Sequence, residues 1–231
     1  MSDSLRAKGE KFHGLIAEHR AEFGSVLRPA LTAENVLELH ISESNNIVAD
    51  VPMADVDRCW ETIESELRRK GKVAAVGGYA EKRTAYRINP DLFGETDEER
   101  CIHLGTDIWV EEGTRIYAPL DATIHSFADN ASLGNYGPTI ILEHTLGGIT
   151  FYSLYGHLSR ASLVDKKIGK SVAKGKAFAT VGSPSENGNW VTHLHYQFIT
   201  DMMGNEGDFI GVSTEAEADF YLLLCPEPVL F

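Results

Sequence analysis

Short apolar runs, separated by glycines at intervals of about ten residues, fill the chain from Lys72 onward and constrain its fold more than any other feature. Runs of this length and spacing are typical of an antiparallel β-sandwich or barrel, because each run suits a strand and each glycine permits a turn. Gly147 and Gly148 separate two such runs and predict a hairpin turn. We predict the main strands at 73–76, 106–110, 116–127, 139–142, 149–158 and 191–200.

The first seventy residues differ, because their apolar positions recur with helical periodicity. We predict one helix that ends at Gly24, a half-buried strand over 35–41, and a second helix that ends at Gly71. The chain as a whole is therefore expected to be α+β. A helical extension with a short strand occupies 1–72, and a mostly antiparallel sheet or sandwich domain occupies 73–231. The apolar faces of the two helices consist of Leu5, Phe12, Leu15, Ile16 and Phe23, and of Val56, Trp60, Ile63 and Leu67.

Charge and cysteine content exclude several classes of protein. The chain has 21 basic and 34 acidic residues, a formal net charge of −13, which disfavours binding to nucleic acid or to anionic membranes. The basic groups at 68–70 and 166–167 are expected to be a solvated helix end and a loop. No apolar run is long enough to span a membrane, and no secretory signal is seen. Three scattered cysteines, Cys59, Cys101 and Cys225, predict no disulfide framework, so we expect a cytoplasmic protein.

Two histidine motifs carry the chemistry. The first is His103-x-x-x-Asp107, and the second is His193-x-His195, whose side chains would project from the same face of a strand. A pair of exposed strand histidines would have the same spacing, so neither motif is specific alone. Together they offer two histidines and one aspartate, the three protein ligands that a catalytic zinc takes while a fourth position stays open for water. His157 ends another apolar strand and is expected to reach the same face.

The order and spacing of these motifs resemble those of the lysostaphin-type (LytM-like) zinc metallopeptidases. The stretches 113–119 and 169–175 resemble two strand turns of that family, and the likeness covers about residues 73–199. More narrowly, the chain is similar to the peptidase-like module found in some bacterial proteins between a small-molecule-kinase-like domain and a class III aminotransferase domain. The stretch 126–130 and the ending at 224–226 carry that narrower likeness.

The resemblance implies a duplicated-hybrid-motif-like sheet and one zinc ion held by His103, Asp107 and His195. It also implies that His157 and His193 act as the catalytic pair on a peptide or small amide substrate, with zinc activating the attacking water. The loop 186–192 and the pair Tyr196-Gln197 differ from the family's usual sequence. These differences lie around the predicted cleft and argue against cleavage of peptidoglycan cross-bridges.

Three other interpretations stay open. Ala118-Pro119 and the stretch 169–175 also occur in lipoyl and biotinyl carrier domains, with Lys174 as the modifiable lysine, but a carrier leaves the histidine motifs unexplained. A zinc-binding scaffold, or an amidase for small molecules, would keep the metal ligands and give up or redirect peptidase activity. Finally, the apolar faces of the N-terminal helices would suit either the neighbouring domain or association with another enzyme or a second copy.

Overall fold

The computed structural model describes residues 3–42, 47–52, 54–83 and 99–231, and within them the fold is α+β with mostly antiparallel pairing, as predicted. The α-helices are α1 (Asp3–Glu18), α2 (Val56–Lys70) and α3 (Ala218–Leu224), with short 3-10 helices at Arg20–Glu22 and Arg160–Leu163. The strands are β1 (Val36–Glu38), β2 (Ala74–Gly77), β3 (Ile102–His103), β4 (Thr106–Trp109), β5 (Arg115–Tyr117), β6 (Ala122–Asn130), β7 (Gly137–Leu146), β8 (Ile149–Gly156), β9 (Ser171–Val172), β10 (Ala177–Thr180), β11 (Leu194–Ile199) and β12 (Val212–Ser213).

The described strands form one large sheet and two small ones. The large sheet has eight strands in the order β1-β2-β4-β11-β8-β7-β6-β9, and the small sheets pair β5 with β10 and β3 with β12. Pairing is antiparallel throughout these strands except between β1 and β2, which run parallel. The centre of the large sheet is therefore β4, β11 and β8, with strands bonded on both sides of each.

Alternate side chains of the central strands point to opposite faces, as the geometry of a strand requires. On β11, Tyr196 and Phe198 are fully buried in the main apolar core. His195 and Gln197 alternate with them along the strand and point to the other face, where His195 meets Asp107 of β4. The first face thus carries the main apolar core, and the other face carries the polar residues beside two smaller apolar clusters.

Helix α1 covers the core face of the sheet. The ring of Phe12 lies 4.5 Å from that of Phe151 and 6.3 Å from that of Phe198. The prediction that this helix continues to Gly24 is wrong, because it ends at Glu18. Phe23 lies beyond the helix in extended backbone, and from there its ring packs 5.5 Å from that of Phe198. Phe23 therefore packs against the core although it lies outside the helix.

Helix α2 packs on the polar face of the sheet and ends at Gly71, as the sequence predicts. The Asp55 side chain accepts a hydrogen bond from the backbone of Arg58, and Gly71 ends the helix in the left-handed conformation, at φ 63°. The buried face of α2 packs in one cluster with Trp109 and Val191; it consists of Cys59, Ile63 and Leu67. The basic residues of the last turn are exposed and pair with Glu64 and Glu66 of the same helix, as expected of a solvated helix end.

Several predicted strands have different bounds. The strand predicted over 35–41 contains only β1, and the run 116–127 is divided between β5 and β6 because Ala118-Pro119 interrupts it. The Gly147-Gly148 hairpin is confirmed: both residues have positive φ and join β7 to β8. A boundary at residue 72 stays a prediction, and the N-terminal segment contributes Phe12 to the same core as the sheet. Among the described residues, no helix is long and apolar enough to cross a membrane.

The buried His144 makes the fold sensitive to acid. Its ring lies 2.7 Å from the Ser153 hydroxyl and 3.1 Å from the Asp121 carbonyl, and burial lowers its pKa from 6.5 to about 4. As pH falls below 6.5, the unfolded chain binds a proton at this position and the native protein does not, so stability is lost until pH approaches 4. We expect about 2 kcal/mol of unfolding free energy to be lost from this group between pH 7 and pH 5.

Urea unfolding at the two pH values measures this effect. His144→Gln replaces the imidazole with an amide that can still donate and accept hydrogen bonds but does not titrate. The stability of this variant should therefore fall less between pH 7 and pH 5 than that of the wild type. His125→Gln, at a half-buried strand position, serves as the control and should fall as the wild type does. Equal losses in all three proteins would contradict the assignment to His144.

Candidate metal centre

Three polar side chains meet on the polar face of the large sheet. The Nε2 atom of His103 lies 3.0 Å from Nδ1 of His195, and Oδ1 of Asp107 lies 3.5 Å and 3.3 Å from these two nitrogens. A tetrahedral zinc with bonds of 2.0–2.1 Å separates its ligand atoms by about 3.3 Å. The three atoms, all in buried residues, therefore already stand at the separations that one zinc ion requires.

The strand register places these side chains. His195 of β11 lies directly opposite Asp107 of β4 in an antiparallel pair, so both side chains project to the same face. His103 ends β3, one short turn before β4, and Gly105 in that turn lets His195 approach closely. A Cβ atom on Gly105 would lie 2.6 Å from the His195 ring. On the other side of His195, its β8 partner is Gly156, which leaves room for the Tyr136 ring.

Hydrogen bonds on the outer sides of the rings fix the tautomers of the two histidine ligands. Nδ1 of His103 lies 2.9 Å from the carbonyl of Gly78, which can only accept, so the proton is on Nδ1. The Gln197 amide nitrogen donates to the Ile210 carbonyl, so its oxygen faces Nε2 of His195 at 2.9 Å and accepts from it. The lone pairs of both rings, together with Asp107 Oδ1, therefore point at one another. Three acceptors in this arrangement attract a cation.

The protonation states of the side chains around the centre also favour metal binding. Burial, and then the charge of Arg83, hold the pKa of His103 well below its usual value, so the ring is neutral. Burial would raise the pKa of Asp107, but the charge of the Arg83 guanidinium, 2.6 Å from Oδ2, holds it well below its usual value, and the carboxyl stays ionised. Neutral imidazole and ionised carboxylate are the forms that bind metal ions.

The other two histidines of the predicted site lie beside the ligand triad. The rings of His157 and His193 have centroids 4.2 Å apart, and Nε2 of His193 lies 3.6 Å from Asp107 Oδ1. Each ring donates from Nδ1 to a backbone carbonyl, of Asn187 at 2.8 Å and of Val191 at 2.6 Å, so each keeps an Nε2 lone pair. The structure thus brings together all five residues that the sequence singled out.

The backbone of His157 is in an uncommon conformation, with φ at 60°. It follows the last residue of β8, and its backbone is held by hydrogen bonds to Tyr136 and Gly182. A positive φ is uncommon for residues other than glycine, although asparagine, aspartate and histidine adopt it more often than the others. Burial, and then the neighbouring His193, hold the pKa of His157 well below its usual value, which leaves a neutral ring.

A cavity of about 220 Å³ opens over the five residues. Its walls are largely apolar. The Trp109 ring stacks on His193 with centroids 6.0 Å apart, and the Trp190 ring meets His157 edge-on at 6.4 Å. A cavity that combines apolar walls with a few convergent polar groups is typical of a binding site for a small molecule or a short segment of peptide.

Sequence reasoning missed two contributors to this site. Arg83 lies in the cavity wall and pairs with Asp107, and the Tyr136 hydroxyl lies 3.3 Å from His195 Nε2. Neither belongs to a motif that includes the histidines. Gly78 gives a weak signal, because a glycine after a short apolar run is consistent with close approach of another group. Asn187 lies in the loop that the sequence marked as unusual, and its carbonyl orients His157.

Comparison with known proteins points to one family. Residues 101–208 match the sequence model described as Peptidase family M23. A Haemophilus influenzae protein described as an uncharacterized metalloprotease is 38% identical over 96 residues, which is 42% of this chain and 18% of that protein. The chain therefore matches less than a fifth of the relative's length. The segment matched by the sequence model contains the histidine motifs and excludes the N-terminal helices.

Solved structures resemble parts of this chain at low sequence identity. The catalytic domain of lysostaphin from Staphylococcus simulans is 23% identical, with a TM-score of 0.37, over 52% of this chain and 80% of that one. A zinc-containing peptidase from Vibrio cholerae is 21% identical, with a TM-score of 0.35, over 45% and 31% of the two chains. At TM-scores this low, these structures say little about function, which must be inferred from the side chains of the metal centre.

Proposed function

We propose that this chain is a zinc-dependent hydrolase of peptide bonds or related amides. One observation carries the proposal: the lone pairs of His103 and His195 and an oxygen of Asp107 face one another at 3.0–3.5 Å, with their outer atoms fixed by hydrogen bonds. The match of residues 101–208 to Peptidase family M23 and the metalloprotease relative support the same reaction class.

The donor set fits zinc rather than magnesium or calcium. Two imidazoles and one carboxylate suit zinc, whereas magnesium and calcium prefer oxygen ligands. With only three protein ligands, a bound zinc would keep a coordination position for water or substrate, as catalytic rather than structural zinc sites do. When bound, zinc would polarise a substrate carbonyl and lower the pKa of water to about 7.

His157 and His193 would transfer protons during hydrolysis. Each keeps an Nε2 lone pair beside the triad while its Nδ1 proton is held by a backbone carbonyl. In amide hydrolysis one ring would accept a proton from the attacking water, and the other would stabilise the developing negative charge or protonate the leaving amine. Burial keeps both rings neutral by lowering their pKa values, and a neutral ring is the form that can accept a proton.

A small amide is an alternative substrate to a peptide. The cavity of about 220 Å³, with two indole rings in its walls, has room for such a molecule beside the ligand triad. The narrower resemblance, to a module that accompanies kinase-like and aminotransferase-like domains, also points away from the cell wall. The proposal therefore includes both substrate classes, peptides and small amides.

A hydrolysis screen tests the proposal. Zinc-loaded protein should release amine from at least one member of a set that contains glycine-rich peptides, muropeptides and small amides, and the zinc-free protein should release none. Cleavage of the small amides alone would select the alternative substrate. Retention of about one zinc ion per chain without cleavage of any member would overturn the hydrolase and favour a zinc-binding scaffold.

A further inference from the structure

A chain of buried charged groups leads away from the metal centre. Nη1 of Arg83 lies 2.6 Å from Oδ2 of Asp107, the oxygen that does not face the triad. Nε of the same guanidinium lies 2.6 Å from the Glu81 carboxylate, whose other oxygen accepts hydrogen bonds from the backbone and the hydroxyl of Ser42. The side chains of Arg83, Glu81 and Asp107 are each 3–6% exposed. The metal centre is therefore connected to the segment before β2, outside residues 101–208.

The position of the guanidinium is built into the backbone. Gly78 has φ 93°, and a Cβ atom there would overlap the Arg83 guanidinium and lie 3.1 Å from Nδ1 of His103. The carbonyl of the same glycine accepts the His103 proton. One glycine thus makes room for the arginine and orients a metal ligand, which ties the two groups to a single geometry.

Stability alone does not account for this arrangement. Burying an ion pair removes two charges from water, and well-packed apolar residues in its place are often as stable or more so. What the ion pair does provide is orientation, since a guanidinium holds a carboxylate at a defined angle. By occupying Oδ2, Arg83 leaves Oδ1 as the oxygen that faces His103 and His195.

We propose that Arg83, held by Glu81 and Ser42, is a positioning residue that fixes the Asp107 carboxylate with Oδ1 directed at the metal. The inference rests on the metal centre of the proposed function and extends it beyond the segment matched by the family. Outer groups that orient metal ligands typically change metal affinity by about 10–100-fold when they are replaced.

The test compares zinc dissociation constants, measured by competition with a chromophoric chelator. Arg83→Met should weaken zinc binding by about 10–100-fold. Arg83→Lys keeps the charge balance with Glu81 but loses the planar guanidinium, so it should fold as the wild type does and weaken binding by a smaller factor. Arg160→Met is the matched control, because Arg160 also pairs with a carboxylate, that of Asp129 at 2.9 Å, but at a half-exposed position where the partner is not a proposed metal ligand. Its zinc affinity should equal that of the wild type.

Cobalt in place of zinc gives a second measurement that does not depend on turnover. Visible absorption of bound cobalt reports coordination geometry, and it should differ between the wild type and either Arg83 variant. Thermal unfolding of the zinc-free proteins separates lost stability from lost positioning. Unchanged or tighter zinc binding in a folded Arg83 variant would overturn the inference, while failure of the wild type to bind zinc would instead overturn the proposed function.

Discussion

Zinc bound per chain should fall from near one to near zero when His195 is replaced by alanine. The change removes one of three protein ligands and leaves only His103 and Asp107 near the ion. Because replacing an outer group already costs about 10–100-fold in metal affinity, loss of a direct ligand should cost more than about 100-fold. Elemental analysis after gentle purification, with dissociation constants from chelator competition, measures the effect.

The matched control is His13→Ala, which changes an exposed histidine on α1 and should retain zinc. The zinc-free fold should survive His195→Ala, since the new side chain is smaller and the apolar core lies on the opposite face of β11. Near-stoichiometric zinc in His195→Ala, or a wild type that carries no metal, would contradict the ligand assignment.

Replacing His157 should abolish most turnover and leave zinc content unchanged. His157 donates to the Asn187 carbonyl and lies beside His193 rather than within the ligand triad. Loss of a positioned acid or base typically costs about 10²–10⁴-fold in rate, and we expect His157→Asn to lose turnover in that range. Asparagine suits the test because it tolerates the left-handed backbone found at this position, φ 60°.

Two further variants sharpen that measurement. His157→Gly removes the ring at a backbone position that glycine adopts freely, so added imidazole should restore part of the lost rate. His125→Asn changes a strand histidine that contacts Tyr152 instead of the site and should keep full turnover. Full turnover in His157→Asn would move the proton-transfer role elsewhere, and loss of zinc would make His157 a ligand.

Much of the fold follows from local pattern. The strands between 106 and 199 lie where short apolar runs are bounded by glycine, and α2 lies between a capping aspartate and Gly71. The five histidine and aspartate residues were recognisable because their spacing within strands fixes which face they share. Pattern was less informative where tertiary contacts decide the outcome. Phe23 is in helical register with α1 and yet lies in extended backbone.

The arginine at the metal centre shows what spacing within a sequence does not reveal. Arg83 and Asp107 are 24 residues apart, and the pairing of β2 with β4, which sets Gly77 opposite Asp107, brings their segments together. The parallel pairing of β1 with β2 has the same character, because α2 separates the two strands. Both contacts join segments whose local sequences give no hint of each other.

The pairing register of β4 with β11 determines which side chains reach the core and which reach the metal site. Ile108 and Tyr196 fill the core from the same two strands that present Asp107 and His195 on the other face. A slip of one residue between β4 and β11 would send apolar side chains into the cleft and imidazole into the core. A chain that misaligns these strands would therefore not persist as a well-folded but inactive protein. The register that fills the core is therefore also the register that places Asp107 opposite His195.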